Sequence, residues 1–243
     1  MKLINRDGFT IIETMLFLGI SALLITGILV GTGTSINNQR YRDSVSSLQS
    51  FFRQQYSEVS NVDNDRLTMN ECNGEIVAIG QSDCVILGKF LTVNDINNSN
   101  EIVSKTVIGI TPSGINFANN DIDSFKQYNI SISSLEGQTY KLEWGASLVD
   151  TADNHNKPIV FSMLILRSPL SGVIRTFVHS NNSSPIGDGN IVDILTEAGS
   201  IERQTKLCIN SNGLFTGPKS AVIIMPNATG PSGIETLGES SGC

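Results

Sequence analysis

Residues 8–30 read GFTIIETMLFLGISALLITGILV, an apolar stretch that decides the fold of this chain. A short polar leader precedes it and carries two basic residues, Lys2 and Arg6. As an α-helix that rises about 1.5 Å per residue, residues 9–30 would extend roughly 30 Å, the thickness of the hydrocarbon core of a bilayer. The sequence therefore predicts a membrane-spanning helix over residues 9–30.

A cleaved secretory signal is the main alternative, since it too has a basic start followed by an apolar core. This apolar stretch is longer than the usual ~7–15 residues of such a core, and no A-x-A-like cleavage site follows it. It also contains Glu13. A carboxylate at the centre of a membrane helix costs about 2.5–3.5 kcal/mol, less near an end, and marks a candidate functional site.

The helical pattern continues beyond the apolar stretch. Apolar residues recur at spacings of three and four, at Tyr41, Val45, Leu48, Phe52, Tyr56 and Val59. This spacing places them on one face of an α-helix. We expect one helix from about residue 10 to residue 60, amphipathic over residues 31–60, packed on a sheet and ended by the polar residues 61–64.

Two glycines in the membrane helix, Gly27 and Gly31, form a small-xxx-small pair. Such pairs are typical of close contacts between membrane helices. The alternative is that they are incidental small residues of an apolar helix, and the spacing alone does not decide between the two.

From residue 61 the pattern changes to that of β-structure. Runs rich in Ile, Val, Thr, Phe and Tyr are bounded by Asn, Asp, Gly, Pro and Ser clusters, which predicts strands. The predicted strands are residues 85–93, 102–110, 128–133, 139–148, 159–166, 173–178, 206–209 and 221–225. Residues 210–213 read NSNG and predict a hairpin turn, and residues 189–198 predict a short helix.

The charge balance limits the expected partners. Of 243 residues, 16 are basic and 23 acidic, so the net charge is −7 and the pI is about 4.8. This balance opposes binding of a polyanion by the molecule as a whole, although it leaves a local basic patch open. Nucleic acid is therefore not an expected partner of the β-rich part as a whole.

Apparent catalytic signals lack the context that they need. Residues 238–242 read GESSG and match the G-x-S-x-G nucleophile elbow, but that elbow requires a strand before the serine and a helix after it. The two histidines of the chain, His155 and His179, lie in polar stretches that we expect to be surface loops. We expect no enzymatic activity, no catalytic residue, no metal ion and no cofactor.

The chain has four cysteines, Cys72, Cys84, Cys208 and Cys243, and no C-x-x-C motif. A zinc ribbon is therefore not expected. In an oxidising compartment three pairings are possible, and the sequence-local one joins Cys72 to Cys84 and Cys208 to Cys243. In a reducing compartment all four would be free thiols. A Cys208–Cys243 disulfide would tie down a C-terminal tail that we expect to have little apolar packing of its own.

Residues 8–13 read GFTIIE and stand between the basic leader and the uninterrupted apolar segment. In this position they resemble the class III signal of type IV pilins and type II secretion pseudopilins. The resemblance is close over about residues 1–60 and architectural beyond them. It implies an α+β, pilin-like fold, in which a long N-terminal α-helix, transmembrane in its first half, packs on an antiparallel β-sheet head. The parts would be a leader peptide, residues 1–8, the helix, residues 9–60, and a β-rich globular head, residues 61–243.

The resemblance also implies roles for individual residues. A prepilin peptidase would cut between Gly8 and Phe9 on the cytoplasmic side of the membrane and N-methylate Phe9. Glu13, the fifth residue of the mature chain, would neutralise the α-amino group of a neighbouring subunit during filament assembly. A buried carboxylate is penalised unless it is paired, so this contact would reward correct axial docking. Basic residues flank the apolar segment on both sides, so only the resemblance orients it in the membrane.

Function and location are expectations from the same resemblance. A head of this size resembles that of a structural minor pilin of a type IV pilus-like filament, which contributes to pilus assembly, adhesion or motility. Its partners would be other pilin subunits, the prepilin peptidase, the pilus assembly platform and the membrane. It would be a single-pass prepilin in the cytoplasmic membrane and later part of an extracellular pilus at the cell surface. The alternatives are an H-like type II secretion pseudopilin, a DNA-uptake competence pilin, or an unrelated membrane-anchored enzyme.

Overall fold

The computed structural model describes residues 10–61, 84–93, 99–112, 114, 120–133, 137–150, 157–179, 186–213, 219–238 and 241–243, together with the backbone of residues 70–72 and 75–77. Gly8 and Phe9, at which peptidase cleavage and methylation are expected, lie outside the described residues. The side chains of Cys72 and Cys84 also lie outside what the structure describes, so their pairing stays a prediction.

One long helix, α1 (Ile11–Ser60), forms the N-terminal part of the described chain. It is continuous over 50 residues, about 75 Å at 1.5 Å per residue, which confirms the predicted single helix. At its C-terminal end the amide of Asn61 donates to the carbonyl of Ser57 at 2.9 Å. No proline interrupts the segment, so the backbone hydrogen bonds can run through its whole length.

The described part of the head contains twelve β-strands and two further short α-helices. The strands are β1 (Asn70–Cys72), β2 (Glu75–Val77), β3 (Cys84–Thr92), β4 (Glu101–Ile110), β5 (Asn129–Ile132), β6 (Gln138–Lys141), β7 (Ser147–Val149), β8 (Ser162–Arg167), β9 (Ile174–His179), β10 (Thr205–Asn210), β11 (Ser220–Ile224) and β12 (Ile234–Leu237). The helices are α2 (Asp121–Phe125) and α3 (Ile191–Thr196). The short helix expected over residues 189–198 is thus present as α3, whereas α2, β1, β2 and β12 were not expected.

The described strands form three antiparallel sheets. The largest has the order β5-β4-β3-β8-β9, with β6 also paired to β4. A second sheet has the order β12-β11-β10-β7, and β1 pairs with β2. The fold is therefore α+β, with a long N-terminal helix packed against antiparallel sheets, as the sequence predicted.

Two apolar clusters hold the head together. The first joins the C-terminal half of α1 to one face of the largest sheet and to the β12-β11-β10-β7 sheet, and it includes Phe52, Leu91, Ile102, Phe161, Met163, Ile165, Leu207, Ile209, Val222 and Ile234. The second covers the opposite face of the largest sheet with α2 and α3, and it includes Leu87, Phe90, Val107, Phe125, Leu164, Phe177, Ile191, Ile194 and Leu195. Strand β4 alternates between more and less buried residues along its length because successive side chains point to opposite faces.

A bulge in β3 requires glycine. The pairing of β3 with β4 shifts register between Ile86 and Gly88. A Cβ atom on Gly88 would lie 1.9 Å from the carbonyl oxygen of Ile165 on the neighbouring strand β8. Only a residue without a side chain therefore lets these two strands approach each other here.

The prediction of a single strand over residues 139–148 is wrong. This segment forms β6, a short 3₁₀ turn over Glu143–Gly145, and β7, and the two strands belong to different sheets. The break occurs because Trp144 and Gly145 have positive φ angles of 57° and 72°, two successive left-handed residues that interrupt the extended backbone. A run of strand-forming residues predicts extended structure, and the run itself does not reveal this turn.

The C-terminal tail is held more firmly than expected. Cys208 and Cys243 form a disulfide with their Cα atoms 5.7 Å apart, the C-terminal pair of the sequence-local pairing. The expectation of little apolar packing in the tail is wrong for β12, because β12 pairs with β11 and Ile234 is fully buried. After β12, the Lys206 ammonium donates to the carbonyl of Ser241 at 2.8 Å.

Candidate functional site

The N-terminal half of α1 is the candidate functional site, because it projects from the head with its apolar side chains uncovered. No side chain between residues 11 and 40 is buried, and Phe17 is 69% exposed. Among the described helices, α1 is long and apolar enough to cross a membrane, by length and composition. An apolar helix surface of this size in water would be unfavourable, so lipid or other helices are its natural surroundings.

The threonine hydroxyls within this apolar segment donate to carbonyl groups of the helix itself. Thr26 donates to the carbonyl of Ala22 at 2.8 Å, and Thr32 donates to the carbonyl of Ile28 at 2.9 Å. Thr34 donates in the same way to the carbonyl of Val30 at 2.8 Å. Because a hydrocarbon surrounding offers no other partner to a hydroxyl, these internal bonds suit the segment to such a surrounding.

Glu13 lies in the first turn of α1, three residues after the N-cap residue Thr10. The hydroxyl oxygen of Thr10 accepts a hydrogen bond from the backbone amide of Glu13 at 3.3 Å. Thr10 and Glu13 therefore have the T-x-x-E spacing of a capping box, and a carboxylate in a first turn faces the positive end of the helix dipole. Thr10 was not predicted as the N-cap, although the T-x-x-E spacing is visible in the sequence.

The carboxylate of Glu13 has no ion pair within the described chain, so it is available to another molecule. It stands at one end of a shallow groove on the helix surface, which continues along Leu16, Phe17, Ile20 and Leu24. A charge at one end of an apolar strip allows a partner to be recognised by its axial position as well as by its apolar surface.

The glycines of the apolar segment leave open surface. Cβ atoms built on Gly27 and Gly31 would have no heavy atom within 4 Å apart from the backbone of their own helix turn. Neither glycine is therefore required by a contact within the described chain. Their small surface is available to a second helix.

Hydrogen bonds fix the C-terminal half of α1 to the head. The hydroxyl of Tyr41 donates to the carbonyl of Ile209 at 2.9 Å and accepts from the amide of Ser220 at 2.6 Å. The hydroxyl of Tyr56 lies 2.7 Å from Thr176 Oγ1, and burial raises the pKa of Tyr56 to about 12. The apolar spacing predicted both tyrosines as buried, whereas their polar partners are distant in sequence and could not be predicted.

His179 is not a loop residue, contrary to the expectation from its polar surroundings. It ends strand β9, and its Nδ1 lies 2.5 Å from the carboxylate of Glu197. Arg203 donates to the other oxygen of the same carboxylate at 2.6 Å. Burial raises the pKa of Glu197, but the hydrogen bonds and charges of Arg203 and His179 together lower it by more, so the net pKa is below the ordinary value. The cluster ties β9 to the segment after α3, while His155 lies outside the described residues.

Within the described ranges, no group of three or more His, Cys, Asp or Glu residues could hold a metal ion. Comparison of the chain with protein-family models, with curated proteins and with solved structures finds no match.

Proposed function

We propose that this protein is a subunit of a type IV pilin-like filament, of the minor pilin kind, which is held in the membrane by α1 before assembly. The observation that carries the proposal is the division of α1. One continuous helix has an uncovered apolar half that begins with a lone carboxylate and a second half packed on antiparallel sheets. In a filament, the first halves of neighbouring copies would pack together and leave the heads at the surface.

Glu13 supplies the axial register in this proposal. A carboxylate surrounded by apolar helices is unfavourable alone and becomes favourable when an ammonium group pairs with it. The α-amino group of Phe9, created by cleavage after Gly8, would be that ammonium in the neighbouring subunit. The apolar strip beside Glu13 would supply most of the packing, so the carboxylate selects a position and adds little bulk stability.

The first experiment tests processing. The full chain is produced together with a prepilin peptidase, and the mass of its N-terminal peptide is measured. We expect loss of residues 1–8 and addition of one methyl group on Phe9. A mature protein that still begins at Met1, or that is cut after the apolar segment, contradicts the proposal.

The second experiment tests assembly. We compare Glu13→Ala and Glu13→Gln with Glu202→Gln, which removes an exposed carboxylate from the head. The measurement is the amount of protein in sheared filaments relative to the amount in membranes. We expect the Glu13 variants to be cleaved and inserted but depleted from filaments, and Glu202→Gln to behave as wild type. Normal recovery of both Glu13 variants would remove Glu13 from the proposal, and recovery only in a short periplasmic fibre would favour a pseudopilin.

A further inference from the structure

The single tryptophan of the chain is presented to the outside by an unusual backbone conformation. Trp144 lies in the turn Glu143–Gly145 and is 49% exposed, with φ 57° and ψ 26°. A left-handed conformation is rare for a bulky residue. Asn212 helps to hold it by donating from Nδ2 to the carbonyl of Gly145 at 2.6 Å. The ring gains no core packing from this arrangement, so another role for its exposed surface is needed.

Trp144 stands where α1 leaves the head. The guanidinium carbon of Arg40 lies 4.8 Å from the centre of the tryptophan ring, a cation–π contact. Side chains on a helix lean toward its N-terminus, so Arg40 reaches back along α1 toward the apolar half. Glu143, the preceding residue of the turn, accepts from Ser47 at 3.4 Å. The turn therefore runs alongside α1 from the packed half toward the exposed half.

The length of the uncharged segment places this contact at a bilayer surface. Residues 14–39 contain no charged side chain, which is 26 residues between Glu13 and Arg40. As a helix these residues extend about 39 Å, close to the ~40–45 Å of a bilayer including its headgroups. If the helix sits deeper in the bilayer than a hydrocarbon span over residues 9–30 would place it, so that Glu13 and Arg40 both lie in headgroup layers, Arg40 and the ring beside it reach the interface next to the head.

We propose that Trp144 and Arg40 form a membrane-interface contact that holds the head against the bilayer while the subunit is anchored by α1. Tryptophan and arginine both suit this layer, because each has an apolar body and a polar group that stays hydrated. The inference rests on the membrane-anchored stage of the proposed function.

The lipid interface itself is the occupant, and acidic lipid is not required. Arg40 and Arg42 lie close in sequence to Asp43, and Glu143 adjoins the ring, so positive and negative charges offset each other around Trp144. The contact should therefore depend weakly on salt and on lipid charge, since electrostatic attraction to anionic lipid needs an excess of basic residues.

Because Trp144 is the only tryptophan in the sequence, tryptophan fluorescence reports on this site alone. The full-length protein is reconstituted in phosphatidylcholine vesicles in which lipids are brominated either near the headgroup or near the end of the acyl chain. We expect the headgroup-proximal bromines to cause the larger loss of emission, and we expect high salt to change this loss little. Co-flotation with vesicles is measured on the same sample and tests anchoring separately.

A matched control moves the reporter to the other end of the head. Leu170 is 55% exposed in the turn between β8 and β9. Phe161, just before β8, packs against Phe52, and Thr176 in β9 bonds to Tyr56, so this hairpin points toward the C-terminal end of α1. In the double variant Trp144→Phe, Leu170→Trp we expect no loss of emission from either lipid.

Each outcome decides one question. Protein that does not float with vesicles contradicts the anchored stage of the proposed function. Protein that floats, but in which the Trp144 emission is lost no more than that of the Leu170 reporter, overturns the interface contact alone. Emission that changes with protein density in the vesicles, and not with bromine position, would mean that a second copy covers the ring, which also overturns it.

Discussion

The two halves of α1 have the same backbone structure and opposite surroundings. Between residues 11 and 40 no side chain is buried, whereas Leu48, Phe52 and Tyr56 in the second half are fully buried. In the first half, threonine hydroxyls donate to carbonyls of the helix itself, and apolar side chains are exposed on all sides. The second half buries one face and fixes it by hydrogen bonds from tyrosine side chains to distant strands.

The periodicity that makes a segment helical is therefore separate from the presence of a packing partner for that helix. The apolar stripe of the second half has its partner within the chain, so this half contributes to the stability of the head. The first half has no such partner among the described residues, so its stability depends on lipid or on other helices. Substitutions in the second half should therefore change the free energy of unfolding of the head. Substitutions in the first half should leave it nearly unchanged and affect membrane insertion or assembly instead.

The largest expected effect comes from matched phenylalanines. Phe52 is fully buried and its ring lies 6.1 Å from that of Phe161, whereas Phe17 is 69% exposed. We expect Phe52→Ala to lower the free energy of unfolding of the head by about 3–5 kcal/mol, because it leaves a cavity. Phe17→Ala should change it by less than about 0.5 kcal/mol. Urea unfolding of the full chain in detergent measures both.

Equal losses in the two phenylalanine variants would contradict the separation of the halves. An unchanged Phe52→Ala head would mean that α1 is not an integral part of the first apolar cluster.

The disulfide variant tests whether stability is local to the head. Cys208 and Cys243 are 35 residues apart, and opening a loop of this size should cost about 3–4 kcal/mol in the chain-entropy model. We expect the double variant Cys208→Ser, Cys243→Ser to unfold at lower urea while its membrane flotation stays unchanged. Peptide mapping under non-reducing conditions checks the bond itself. Free thiols at both positions in exported protein, or a Cys72–Cys208 bond, would contradict this prediction.

The smallest expected change in stability comes from a comparison of two glutamates. Glu13 has no ion pair in the described chain, whereas Glu197 has partners in Arg203 and His179, which hold its pKa below the ordinary value of 4.5 despite burial. A carboxylate with a lowered folded pKa adds stability above its unfolded pKa, and this stability is lost as the pH falls through the folded pKa. We expect Glu197→Gln to be less stable than wild type by under about 1 kcal/mol at neutral pH.

The two proteins should converge in stability below about pH 4.5, the ordinary glutamate value, because the wild-type carboxylate then becomes protonated. Unfolding midpoints from neutral to acid pH check this. A gap that widens in acid would mean that folding raises the pKa of Glu197, which would contradict this prediction.

The fold was predicted where the pattern is local. The helix ending near residue 60 follows from uninterrupted spacing and from the polar residues after it, and most strands follow from β-branched runs between turn residues. The prediction of one strand over residues 139–148 was wrong because the left-handed turn at Trp144 interrupts it. The residues on either side of the turn do favour extended structure. The N-cap role of Thr10 was not predicted, although T-x-x-E spacing is a local signal.

The sequence predicted the type of candidate site, an apolar helix with a carboxylate, but not the tertiary contacts around it. An apolar helix with one carboxylate is readable from residue types alone, so Glu13 was identified from sequence. The contact of Arg40 with Trp144 joins residues about a hundred positions apart, and no spacing rule connects them. The same holds for the Glu197 cluster, in which His179 was expected in a loop.

By itself the sequence determined the long helix, its division into an apolar and an amphipathic half, and the β-rich character of the head. These follow from periodicity, which depends on side chains that are near each other in the chain. The tertiary structure alone decided that two sheets share one cluster with α1, that Gly88 allows β3 to approach β8, and that Trp144 faces outward beside Arg40. Each of these depends on contacts between distant segments, whose positions are set by packing of the whole core and not by any local preference.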